Sequence, residues 1–223
     1  MHELKTEKEN FNFAGELQRI ELKVASAKMP EGRWLAIHPG DDIGSGVRTE
    51  DLEVLGTSDI SACCLLGARG GLAGVSVGAE KYHSPIDAIR DTQRLYRLVE
   101  QFQDGSKMER FRAAMAYEDC VFLWEAVEIG EHLDAYTFLS ESEFREQTKQ
   151  ELAAKGMDPR ILEFCFDFKR YAAIQYGYED LYYSADTDLY VHKVDDTFDP
   201  CRSTSFVQDS AQHGQVCQPQ MGV

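Results

Sequence analysis

Ser84-Pro85-Ile86-Asp87 constrains the fold more than any other four residues of the chain. The serine is an N-cap oxygen, the proline suits the first helical position, and the acid stands beside the positive end of the helix. Ile86, Ile89, Tyr96, Val99 and Phe102 then recur on one face of an α-helix. Upstream the period changes. Ile20, Leu22 and Val24 alternate with polar residues, as on a half-buried strand. A chain that uses both periods must pack helices on sheets.

The remaining segments extend that pattern. Pro30-Glu31-Gly32 predicts a turn, and Arg33–His38 a second strand ended by Pro39-Gly40. Ile60–Leu66 and Leu72–Val77 predict two strands of a hairpin, turned by Gly67-Ala68-Arg69-Gly70-Gly71. Ser140-Glu141-Ser142-Glu143 is a capping box that opens a helix to about Lys155, with Gly156 as its stop. The stretch Met108–Tyr117 fits helical and strand spacing alike. Cys120–Val127, Ile161–Phe168, Leu181–Ser184 and Leu189–Val194 predict strands, the last two joined by a hairpin at Ala185–Asp188. The expected class is α+β, with mixed, largely antiparallel β-sheets flanked by helices. Residues 1–197 are expected to form one domain with a loose start (1–12), and 198–223 a polar, disordered tail.

Charge and cysteine usage exclude several functions. Lys+Arg total 23 against Asp+Glu 39, a net charge of −16 over 223 residues. Nucleic acid and anionic lipid are therefore unfavourable partners, since both need a basic footprint. No apolar run approaches the roughly 20 residues that span a bilayer. Residues 1–8 lack the basic start and apolar stretch of a secretory signal. The expected location is cytoplasmic, with an effector exported without such a signal as the alternative. Six cysteines, at 63, 64, 120, 165, 201 and 217, form neither a CxxC pair nor a zinc spacing. They predict reduced thiols, no disulfide framework and no zinc site, with Cys120 and Cys165 as core residues. The acidic positions between Glu179 and Asp199 lack the spacing of a calcium loop.

Thr57-Ser58-Asp59-Ile60-Ser61-Ala62-Cys63-Cys64-Leu65-Leu66 is the segment with chemical promise. A cysteine at the head of an apolar strand, behind small residues, lets a carbonyl approach the sulfur near backbone N–H donors. Successive strand side chains face opposite ways, so only one of Cys63 and Cys64 can look into a given cleft. Packing of both cysteines inside the core is the competing expectation.

These residues resemble the CheD chemoreceptor glutamine deamidases and the deamidase domains of cytotoxic necrotizing factor toxins. In that family a nucleophilic cysteine follows a threonine by six positions, after a Pro-Gly turn and before a Gly-Gly pair. Here Thr57, Cys63, Pro39-Gly40 and Gly70-Gly71 stand in that order. The coarse similarity spans about residues 35–194, and its sharp part is 57–63 with the glycine pair. The resemblance implies a CheD-like layered sandwich and a cysteine-dependent protein-glutamine deamidase. Cys63 would attack the carboxamide, backbone N–H groups near Ala62–Cys63 would hold the oxyanion, and ammonia would leave. The family's histidine position falls on Gly74, so the base would be His83, oriented by Thr57. A thiol of pKa near 8.5 needs such a base or a positive field. His38 is a second candidate, and His132, His192 and His213 have no supporting context. The implied chemistry requires no cofactor or metal. The expected partner is a protein, as substrate or binding partner, with a basic or neutral docking face to complement the acidic surface, and the oligomeric state of the chain itself is left open. The alternatives are a catalytically inactive CheD-like fold used as a protein-interaction module, and transglutaminase-type chemistry by the same cysteine.

Overall fold

The computed structural model describes residues 17–37, 47–72, 74–102, 105–175 and 181–202. Two three-stranded antiparallel sheets and seven helices are found among them, an α+β architecture. The first sheet has the order β2-β1-β3, from β1 (Leu17–Ser26), β2 (Met29–Ala36) and β3 (Cys64–Leu72). The second has the order β4-β6-β5, from β4 (Tyr136–Ser140), β5 (Tyr182–Ser184) and β6 (Leu189–Lys193). The helices are α1 (Thr49–Val54), α2 (Pro85–Gln101), α3 (Ser106–Tyr117), α4 (Leu123–Glu131), α5 (Glu141–Ala154), α6 (Pro159–Phe164) and α7 (Phe168–Gln175). One buried cluster runs from Ile20, Leu22 and Val24 through Leu95, Phe111 and Ile129 to Tyr136 and Val191, so both sheets share a core.

Helix α2 holds the centre. Ser84 caps it by accepting the Asp87 N–H, and Pro85 fills the first turn. Its Tyr96 hydroxyl accepts from the Ile20 N–H (3.1 Å) and donates to the Ile37 carbonyl (3.4 Å). That contact satisfies a backbone donor at the place where the β1–β3 register shifts, between Gln18 and Glu21. α2 is tied to α4 by Arg94, which reaches Asp91 Oδ1 at 3.0 Å, Glu128 Oε1 at 3.3 Å and, at shorter range, Glu131. Burial raises the Asp91 carboxyl pKa, while the Arg94 guanidinium lowers that of Glu131. The two helices pass so closely that a Cβ on Gly130 would lie 2.9 Å from Leu98 Cδ1.

Several expected boundaries are corrected. The first reversal falls at Ala27–Lys28, and Pro30 lies inside β2, an edge strand where its missing N–H costs no ladder bond. Gly67-Ala68-Arg69-Gly70-Gly71 is no hairpin turn but the middle of β3, and Leu72–Val77 supplies no second strand. Its glycines serve close approach instead: a Cβ on Gly70, at φ +88°, would lie 1.9 Å from the Arg19 carbonyl oxygen. Cys120–Val127 is not a strand. The Glu125 carboxylate accepts the N–H groups of Val121 and Phe122 (both 3.0 Å) and starts α4, which also takes in Ile129-Gly130-Glu131. Ile161–Phe168 is no strand either: Ile161–Phe164 lies in α6, started by Asp158-Pro159 in the manner of Ser84-Pro85, and Phe168 opens α7. Cys165, expected in the core, is exposed. Met108–Tyr117 is settled as helix α3. Phe198 packs on His132 and Tyr136, and Cys201 donates to Glu125, so the chain is held to the body as far as 202. The rest of the expected tail, the loose start and His38-Pro39-Gly40 lie outside the described residues.

Candidate functional site

The Thr57–Cys64 segment folds into a turn that consumes its own polar groups. Asp59 caps a single 3-10 turn at Ile60–Ala62, its carboxylate accepting from the Ser61 N–H (2.9 Å) and hydroxyl (2.6 Å). Thr57 Oγ1 accepts from the Asp59 N–H and donates to the Asp59 carbonyl, both at 3.1 Å. The threonine therefore shapes the turn; it orients Asp59 and no ring. The donors assigned to an oxyanion are engaged too, since Ala62 N–H bonds to Asp59 O (3.3 Å) and Cys63 N–H to Ile60 O (3.1 Å).

Cys63 and Cys64 face opposite ways, as strand geometry requires. Cys63 is only 7% exposed and belongs to the main core cluster. Burial pushes its thiol pKa up, and the neighbouring Cys64 and Asp59 push it the same way. A thiol so placed has less thiolate at neutral pH than a free cysteine, the reverse of what a nucleophile needs. Cys64, the first residue of β3, is exposed. His83 stands on another segment, exposed and one residue before the α2 cap. Thus Thr57 and Cys63 are brought together through Asp59, whereas the groups that set the Cys63 thiol are acidic and include no imidazole. Alkylation with iodoacetamide at pH 7.5, read by mass spectrometry, is expected to modify Cys64 in the folded protein and to reach Cys63 only after denaturation. Equal labelling of the two in the folded chain contradicts this placement.

A second feature, invisible to spacing arguments, adjoins the turn. β3 is an edge strand, and among the described residues no backbone hydrogen bond reaches its outer side between Leu65 and Gly70. That side opens on a cleft of about 690 Å³, lined by Leu65–Gly70 and by the facing segment from Gly74 to Glu80. The facing wall is fixed by Ser76, whose N–H bonds to Val121 O and whose carbonyl accepts from Leu123 N–H, both at 2.9 Å. Behind it Phe122 and Trp124 stack at 4.5 Å, and Gly78 packs so close to Phe122 that a Cβ would lie 2.7 Å from the ring. Gly74, where the resembled family has its histidine, lines this cleft and supplies no proton acceptor. Among the described residues, no group of three His, Cys, Asp or Glu side chains is placed to hold a metal.

Compared with protein-family models, curated proteins and solved structures, the chain matches none. The geometry of β3 and its flanking segments is therefore what a functional assignment has to rest on.

Proposed function

We propose that this chain is a protein-interaction module that takes an extended partner segment along the outer edge of β3. The observation that carries this reading is the cleft itself, with the main chain of Leu65–Gly70, unpaired on its outer side among the described residues, facing the braced 74–80 wall. An open edge offers unpaired N–H and C=O groups that an incoming strand can satisfy, and flanking pockets select its side chains. Six residues of strand present about 20 Å of edge, room for a short linear segment. Natural edges are usually protected by charge, proline or cover. This one has small residues, Gly67, Ala68 and Gly70, which keep side chains out of the way of an arriving main chain.

The test is to select binders from a random peptide display library and measure their affinity for two variants. Ser76→Trp fills the cleft with an indole while leaving the backbone bonds of the wall in place, and should lower affinity by at least about ten-fold. Ser142→Trp, at an exposed position on α5, should leave it unchanged. Binding that survives Ser76→Trp contradicts the proposal.

A second reading is the cysteine-dependent glutamine deamidase implied by the CheD-like residues. It is favoured by the exposure of Cys64 beside the cleft-lining Leu65, and in this geometry the nucleophile would be Cys64 more readily than Cys63. Thr57 and His83 keep their implied roles only if the turn opens. Ammonia release from glutamine-bearing proteins that is abolished by Cys64→Ala or Cys63→Ala supports it; release that neither substitution alters excludes both thiols.

A further inference from the structure

The solvent face of the first sheet carries a row of arginine and tryptophan that runs into the cleft. Register places it. Glu21 pairs with Ala36 on one side and Arg69 on the other, and Lys23 with Trp34 and Gly67. Directly paired residues share a face of the sheet, so Glu21, Lys23, Trp34 and Arg69 point away from Leu22, Val24 and the core. The Arg69 guanidinium lies over the Trp34 ring, 4.4 Å from its centroid. Its Nε and Nη2 both reach Glu21 Oε2 at 2.5 Å, while Arg19 Nε stands 3.4 Å from the other oxygen of the same carboxylate. Trp34 remains 38% exposed and Leu66, which reaches across to Gly32, 50% exposed. Leu66 and Arg69 also line the cleft.

Two guanidinium groups thus share one carboxylate. Each guanidinium has five N–H donors, and the two oxygens of Glu21 satisfy few of them. A second carboxylate is the group that would complete this pair, in the planar, bidentate manner that arginine favours. Tryptophan and arginine are also the residue types in which binding energy concentrates. The molecule as a whole has a net charge of −16, so a long polyanion would be repelled by everything beyond this patch. A short segment with one or two carboxylates meets the patch alone.

We propose that the segment taken along β3 is an acidic, extended peptide, with a carboxylate on Arg69 and Arg19 and a neighbouring apolar or aromatic side chain over Trp34 and Leu66. This rests on the edge-binding reading above and names its ligand class. The test uses the full chain and three synthetic peptides: Ac-Thr-Val-Glu-Val-Tyr-Val-Glu-Thr-NH2 and its counterparts with glutamine or lysine in place of both glutamates. Affinity is read by calorimetry, and the bound site by amide hydrogen exchange. The glutamate peptide is expected to bind about ten-fold more tightly than the glutamine peptide and to slow exchange at 65–70, with the lysine peptide weakest. Arg69→Gln should bring the glutamate peptide down to the glutamine level, and raised salt should narrow the same gap. Equal binding of all three peptides with protection of 65–70 overturns the acidic preference and leaves the edge as a general strand acceptor. No protection by any of them overturns the edge reading as well. Binding of an oligothymidylate that exceeds the glutamate peptide and is lost in Arg69→Gln makes the patch a nucleic-acid site and overturns the proposal.

Discussion

Gly70→Ala is expected to abolish the native first sheet. The added methyl would lie 1.9 Å from the Arg19 carbonyl oxygen and 2.7 Å from its carbon, both backbone atoms of the central strand, at a φ of +88°. Neither can move without breaking the β1–β3 ladder, which anchors Ile20, Leu22 and Val24 in the core. The cost should exceed about 4 kcal/mol, the range in which single substitutions unfold marginal domains. Thermal and urea unfolding followed by circular dichroism measure it. Two other glycines serve as controls. A Cβ on Gly67, in the same strand, meets nothing nearer than Lys23 Cβ at 4.0 Å, so Gly67→Ala should be tolerated. Gly105, at φ +81° with nothing within 4 Å, should lose about 1 kcal/mol to backbone strain alone. Equal effects at positions 67 and 70 would contradict the close approach.

Arg94→Ala should be nearly as damaging, through charge. The guanidinium is, among the described residues, the one cation that Asp91, Glu128 and Glu131 share, and Tyr82 donates to the far side of Asp91 (3.1 Å). Without it, partly buried carboxylates from two helices face one another without the guanidinium that bridges them. Removing one partner of a buried ion pair costs about 3–5 kcal/mol, and the partial exposure of Glu131 places the expected loss near the lower figure. The pH dependence gives the sign. In the wild type Arg94 holds the Glu131 pKa down, a contribution present above the ordinary glutamate pKa and lost as pH falls through the depressed value. In the variant the Asp91 and Glu131 carboxyls lose the cation that lowers their pKa, so the folded state binds more protons than the unfolded one and stability increases as pH falls. The gap between wild type and variant should therefore narrow from pH 7 to pH 5. A gap that stays constant over that range would show that the arginine acts by packing alone, and one that widens would contradict the charge account.

What the sequence disclosed follows from how local each signal is. Ser84-Pro85 and the Ser140 capping box mark α2 and α5 correctly because a cap is decided within four residues. The alternation at Ile20, Leu22 and Val24 locates β1 because one face of that strand is buried. Cys120–Val127 misleads because a short apolar run has no period of its own, and Glu125, which decides the matter by capping backward, stands inside the run. The glycines of 67–71 mislead for another reason. Turn and close backbone approach demand the same residue, and only β1, far upstream in the chain, distinguishes them. At the candidate site the sequence predicts that Cys63 and Cys64 diverge, and the resemblance names Cys63 as the open one, whereas Cys63 is covered and Cys64 exposed. That depends on the core that Ile60 and Cys63 enter together. The Arg69–Trp34–Glu21 row and the cleft are assembled from three strands and a loop, and no spacing along the chain announces them.

A partner strand can fill the outer edge of β3 only if its outward amides are unpaired in the free protein. Amide hydrogen exchange of the full chain, alone and with a display-selected peptide, tests this directly. Alternate amides between Leu65 and Gly70, those turned away from β1, should exchange fast in the free protein and slow by at least about ten-fold on binding. Outward amides already protected in the free protein, or protection that develops elsewhere while these remain fast, would contradict it.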